Sequence, residues 1–224
     1  ASHNPHDYNG FKVFSGDGFK LSEREERELE EMLLSRKAPA LPESPGSVRT
    51  IPDANIRYRD FLRKAAGDVP LRGMKAVLDC ANGAAFRVAP ILFRELGVET
   101  DALFDKPDGR NINHGCGSEH TEVLSRKVRE ADADVGLAFD GDADRLVAVD
   151  ERGKRVRGDQ LLTVFARALQ EQGKLFNNRV VSTVMSNIGL KAALSNMAIQ
   201  WVPAPVGDRN VLTTHRVQRA ALDV

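Results

Sequence analysis

Between Ala76 and Val202 the chain alternates short apolar runs with longer amphipathic stretches, and few folds accept that alternation. Ala76–Leu78 and Val135–Phe139 are short and apolar and read as strands, as do Val98–Phe104, Leu146–Val149, Val180–Val184 and Ile199–Val202. Ala85–Leu96, Thr121–Ala131, Gln160–Gln172 and Leu190–Met197 carry helical spacing, with Gly97 and Gly173 as stop signals. Repeated strand–helix–strand units imply an α/β chain of consecutive domains with mainly parallel, mixed sheets. At about 100–150 residues per domain, 224 residues suggest two such units, meeting near residue 155.

The N-terminal third reads differently. Residues 1–20 are polar and Gly-rich, a loop leading into a short strand at Phe11–Phe14. Ser22 and Glu25 form a capping-box pattern ahead of a helix with Leu29, Met32 and Leu33 on one face. Ala38–Ser47, with Pro39, Pro42, Pro45 and Gly46, reads as a linker. A second helix is expected from about Asp53, with Ile56, Phe61, Leu62 and Ala65 inward. These divisions give three parts: 1–48, 49–155 and 156–224.

Charge excludes some functions. Thirty-two basic and 32 acidic residues leave no net charge, which argues against a nucleic-acid or membrane-surface protein. No apolar run approaches the ~20 residues of a membrane span. Cys80 and Cys116 fit a reduced, cytoplasmic protein better than a disulfide framework.

The segment Asp140-Gly141-Asp142-Ala143-Asp144-Arg145 sets three carboxylates at alternate positions, spaced by small residues that let the backbone curl. Like charges that close require a compensating cation, and an oxygen-only donor set selects a hard one, Mg²⁺ or Ca²⁺. An EF-hand loop would also place Asp140, Asp142 and Asp144 at alternate ligand positions. It needs Gly where this chain has Arg145, and helices where this chain has apolar strands. A solvated acidic turn stays open on the loop alone.

Ala1-Ser2-His3-Asn4-Pro5, followed by Asn9-Gly10-Phe11-Lys12, lacks the strand–turn–helix elbow of a hydrolase serine. It reads either as an ordinary turn or as a serine that carries a phosphoryl group. A phosphoserine adds about −1.5 to −2, so with three carboxylates the site would reach about −5. A divalent cation with Arg145 and Lys12 returns about +4, so the two segments complement each other electrically.

Together, and in this order, Ala1–Pro5 with Asn9–Lys12 and then Asp140–Arg145 resemble the α-D-phosphohexomutase family, over Ala1 to about Leu212. The resemblance implies phosphohexomutase-type α/β domains and an intramolecular phosphotransferase of the isomerase class. Ser2 would carry the phosphoryl group and ligate Mg²⁺ beside Asp140, Asp142 and Asp144. Lys12, His3 and Arg145 would surround it, Arg145 and Lys12 stabilising charge and Lys12 or His3 moving the sugar-hydroxyl proton. Substrates would be a hexosamine phosphate and a bisphosphorylated sugar intermediate.

Asn111–His120 and Val206–Arg209 resemble the bacterial branch acting on glucosamine phosphates, with Glu119 and Asn210 departing from that pattern. Mannose or glucose phosphates, or a metal-binding fragment without turnover, are the alternatives. Cys116 reads as a small buried residue, and His114 and His120 lack the further partners of a zinc site. The family's strands before the serine, its sugar loop and its fourth domain have no counterpart in these residues. Thr213–Val224 is expected to depart from the family pattern.

Overall fold

The computed structural model describes residues 2–8, 10–35, 46–67 and 69–220, with side chains to residue 217. Helices α1 (Glu23–Leu34) and α2 (Ala54–Ala66) come first. Then follow β1 (Lys75–Asp79), α3 (Ala89–Glu95), β2 (Glu99–Leu103), α4 (Glu122–Glu130), β3 (Val135–Phe139), β4 (Leu146–Asp150) and β5 (Arg155–Val156). The last part holds α5 (Gly158–Glu171), β6 (Arg179–Thr183), α6 (Ile188–Asn196), β7 (Gln200–Ala204) and α7 (Asp208–Ala220).

One sheet has the order β2-β1-β3-β4-β5 and a second pairs β6 with β7. β1 lies parallel to both β2 and β3, while β3, β4 and β5 form antiparallel hairpins. The β6–β7 pair is parallel. The fold is therefore α/β with mixed, mostly parallel sheets, as the alternation implied. β1 sits at the centre of its half of the sheet with Ala76, Val77, Leu78 and Asp79 all buried, as a strand covered on both faces should be. Leu78 and Ala76 face Ala89 and Val98 on one side. Val77 faces Leu124, Val128 and Val149 on the other, under α4. A third cluster joins Ala166, Leu190, Leu194 and Ile199 across α5, α6 and the second sheet.

Several local expectations change. Ala85–Leu96 is a 3₁₀ turn at Ala84–Arg87 followed by α3, because Pro90 opens the α-helix and cannot donate the bond that would continue the preceding turn. Phe11–Phe14 is no strand; Phe14 and Lys20 make a single antiparallel bridge. Ser22 and Glu25 do form the capping box, each side chain accepting from the other's backbone N–H. The apolar faces of α1 and α2 are not buried: Leu33 and Phe61 are 79% and 64% exposed, because no described element packs over them. The expected linker falls almost wholly outside the described residues. Short β5 and the whole of α7 are additional elements.

Candidate active site

The carboxylate loop joins the C-terminal end of β3 to the start of β4, a strand-end position where α/β sheets gather ligands. Its flanks are strands, so the EF-hand alternative fails structurally as well. Ala143 curls the loop with φ 62°. Gly141 serves for another reason: a Cβ there would lie 2.5 Å from the Ser2 carbonyl oxygen. Asp140 is fully buried, while Asp142 and Asp144 face solvent. One oxygen from each of the three lies within 4.8 Å of the others.

The two segments meet. Ser2 Oγ donates to Asp140 Oδ2 at 2.5 Å and lies 3.4 Å from Asp144 Oδ1. The Lys12 ammonium sits on Asp142 and Asp144, 2.8 Å from the latter. Its hydrogen bond to Asp142 first, then that to Asp144, holds Lys12 above its ordinary pKa, so it is firmly charged. Arg145 donates its backbone N–H to Asp140 Oδ1 at 3.0 Å, and its Nε lies 3.9 Å from Asp140 Oδ2. Arg145 Nη1 approaches His3 Nδ1 at 2.9 Å. A guanidinium only donates, so His3 Nδ1 accepts and its proton resides on Nε2. All seven expected side chains thus stand in one neighbourhood: Ser2, His3, Lys12, Asp140, Asp142, Asp144 and Arg145.

The donor set fits a hard divalent cation. Three carboxylates and one hydroxyl supply oxygen only, and the Lys12 ammonium already occupies a cation's place between Asp142 and Asp144. Open clefts of about 620 and 590 Å³ flank that lysine. One reaches Lys20, Asp208 and Arg209, and the other Asn4, Ile112 and Gly141.

Sequence reasoning missed three supports. Lys20 pairs with Asp208 at 2.5 Å and Arg209 with Glu26, tying the last part of the chain to the first. Asn113 donates to the backbone carbonyls of Ser2 and Asn4. Buried Asp79 accepts from Ala81 N–H and Gly117 N–H, each at 2.9 Å, and burial pushes its carboxyl above the ordinary aspartate range. Asn111–His120 and Val206–Arg209 stood out by resemblance, but no local pattern signals these contacts, since each partner is distant in sequence or is backbone. Cys80 and Cys116 are buried free thiols, pushed up to about 12 by that burial.

Comparison with known proteins agrees with this geometry. Residues 1–39, 57–153 and 157–222 match, in turn, the sequence models of phosphoglucomutase/phosphomannomutase alpha/beta/alpha domains I, II and III. The third match runs past Leu212 and through most of the tail expected to depart from the pattern; residues 213–220 of that tail continue α7 as one helix. The phosphoglucosamine mutase of Syntrophus aciditrophicus is 50% identical over 95% of this chain and 48% of its own length. That of Desulforudis audaxviator is 50% identical over the same shares. The chain thus spans about half the length of the curated relatives it matches. A phosphoglucomutase/phosphomannomutase family protein of Burkholderia thailandensis superposes with TM-score 0.78 at 29% identity, over 96% of this chain and 45% of its own. A putative phosphomannomutase of Thermus thermophilus, 18% identical, shares the fold with TM-score 0.62. Three consecutive domain matches, over a chain whose serine and carboxylate loops meet, lead to one conclusion: this chain belongs to the phosphoglucomutase/phosphomannomutase family.

Proposed function

We propose that the protein from which this chain comes is a phosphoglucosamine mutase, interconverting glucosamine 6-phosphate and glucosamine 1-phosphate for amino-sugar biosynthesis in the cytoplasm. The observation that carries the reading is the 2.5 Å contact of Ser2 Oγ with Asp140, across 138 residues of sequence. The relatives named phosphoglucosamine mutase support the choice of sugar over mannose or glucose phosphates. Residues 1–48 would end a first domain, 49–155 form a second and 156–224 begin a third.

Ser2 would carry the phosphoryl group. A sugar hydroxyl attacks phosphorus in line; its O–P bond forms as the Ser2 Oγ–P bond breaks, giving a bisphosphorylated sugar. The hydroxyl proton ends on Ser2 Oγ; His3 or Lys12 would relay it, Lys12 only once parted from Asp142 and Asp144, which hold it charged. After the intermediate turns end for end, its other phosphoryl group returns to Ser2, so none is consumed. Such transfers rest on positioning and charge neutralisation, which Arg145 and Lys12 supply here. Mg²⁺ on Ser2, Asp140, Asp142 and Asp144 would add Lewis-acid neutralisation of the phosphoryl oxygens.

In the full-length protein, Ser2→Ala removes the carrier oxygen and little else, so turnover is expected to vanish while sugar-phosphate binding persists. Residual wild-type mutase activity in that variant would sink the reading. Asp142→Asn keeps the shape and removes one charge, and is expected to weaken Mg²⁺ binding and turnover together. Full activity of chelator-treated protein would defeat the metal assignment. The 224-residue chain alone, with its clefts open, is expected to turn over no sugar phosphate.

A further inference from the structure

We propose that Asn113 is a positioning residue for phosphoryl transfer: with the Gly141 N–H it forms a bracket on the backbone of Ser2 that aims the serine hydroxyl at the carboxylate loop. The inference rests on the reading of Ser2 as phosphoryl carrier.

The contacts of the Ser2 hydroxyl with Asp140 and Asp144 do not by themselves set where its Cα stands, since a hydroxyl turns about its bond. The Ser2 backbone is held directly. Ser2 carbonyl oxygen accepts from Gly141 N–H at 3.0 Å and from Asn113 Nδ2 at 2.9 Å. The second N–H of the same amide goes to Asn4 carbonyl oxygen, also at 2.9 Å. Both donors of one amide are therefore spent on the turn that carries the serine. The orientation of that amide is fixed chemically, because its oxygen facing two carbonyls would be repulsive and unbonded. Gly141 belongs to the carboxylate loop, so the bracket gives Ser2 and Asp140 a common anchor.

Asn113 is itself anchored on the sheet. Its N–H donates to Ala81 carbonyl oxygen at 2.9 Å, just past β1. Further along, Gly117 N–H meets Asp79 and Ser118 N–H meets Phe139 carbonyl oxygen at 3.0 Å, at the ends of β1 and β3. A rigid sheet edge, a polar loop and the serine turn are thus connected in series. Asn113 has φ 57°, a left-handed conformation that Asn tolerates and Gly tolerates better. Two explanations for an asparagine here therefore compete, its backbone tolerance and its amide.

Asn113→Gly separates them: it satisfies the backbone and deletes the amide. Asn113→Asp keeps the shape and replaces both donors with acceptors. In the full-length protein each variant is assayed for kcat and KM with glucosamine 6-phosphate, for melting temperature, and for Ser2 phosphorylation by glucose 1,6-bisphosphate, read by intact mass. A misplaced reacting group costs up to about 100-fold, so kcat and the phosphorylation rate should fall about 10- to 100-fold in both variants. KM should stay within about two-fold, since the bracket does not bind the sugar. Wild-type kcat in Asn113→Gly would overturn the proposal. So would a fall in kcat fully accounted for by loss of folded protein. Failure of the wild type to become phosphorylated on Ser2 would remove the carrier reading and this inference with it.

Discussion

The residues from β1 to β5 and those from Ser2 to α2 are built in opposite ways, yet the proposed site needs both. In the first region a central strand is buried on both faces and three helices or turns close over it. In the second, neither α1 nor α2 contains a buried residue. The carboxylates stand on the packed region, and the serine, His3 and Lys12 stand on the loose one. What joins them is polar: the Ser2–Asp140 contact, the Lys12 pairs, and the carbonyl bracket of Asn113 and Gly141. The difference teaches that precision at such a site can be borrowed. A loop with no core of its own is held by hydrogen bonds to a neighbour that has one.

The strongest way to break that comparison is to damage the packed side. Leu78 is fully buried between Ala76, Ala89 and Val98 on β1, so Leu78→Ala should cost about 2–5 kcal/mol, part transfer and part cavity. Urea unfolding of the 224-residue chain measures it. A cost near zero would mean the sheet is no better packed than the helices before it.

Asp79 sits where the packed side begins to serve the site, and a smaller loss is expected there. Each of its oxygens accepts one backbone N–H, from Ala81 and from Gly117. Asp79→Asn offers one acceptor for two donors and should cost about 1–3 kcal/mol. Burial holds the native Asp79 pKa above its ordinary value. Protonation therefore favours the native state: this contribution is full below the unfolded value of about 3.9 and is lost as pH rises through the folded one. Asparagine does not titrate, so the deficit of the variant should be larger near pH 4 than near pH 7. Unfolding curves at both values test this, and an equal or growing deficit toward neutral pH would contradict the direction.

Which parts were legible in the sequence follows the same division. β3 and β4 were visible because short apolar runs beside an acidic loop leave little else to form. The Ser22–Glu25 cap was visible because it is a contact between near neighbours. The meeting of Ser2 with Asp140 came from family resemblance and charge balance, not from spacing. Asn113 stayed hidden because its partners are carbonyls 109 and 111 residues away, and carbonyls are the same at every position. The inward face assigned to α2 failed for a related reason, and the apolar face of α1 is likewise exposed. Periodicity shows that a helix has an apolar face, and only the rest of the structure shows whether anything covers it.

That failure yields the smallest expected effect and the sharpest control on the comparison. Phe61 lies on the apolar face of α2, 64% exposed, with its ring 6.4 Å from Tyr58 and nearly parallel to it. Phe and Ser have similar helix propensities, so Phe61→Ser tests the side chain's contacts rather than the helix. Neighbouring side chains one turn apart contribute only about 0.2–0.5 kcal/mol. Phe61→Ser in the 224-residue chain should therefore change stability by no more than about 0.5 kcal/mol, against the several expected at Leu78. Urea unfolding of both variants in one buffer gives the contrast directly, provided the probe reports on each region. Far-ultraviolet circular dichroism, which follows the helices and both sheets, meets that condition. A loss of about 2 kcal/mol at Phe61 would place it in the class of core truncations. The face of α2 would then have to be covered in solution, and the serine segment would rest on packing rather than on its hydrogen bonds.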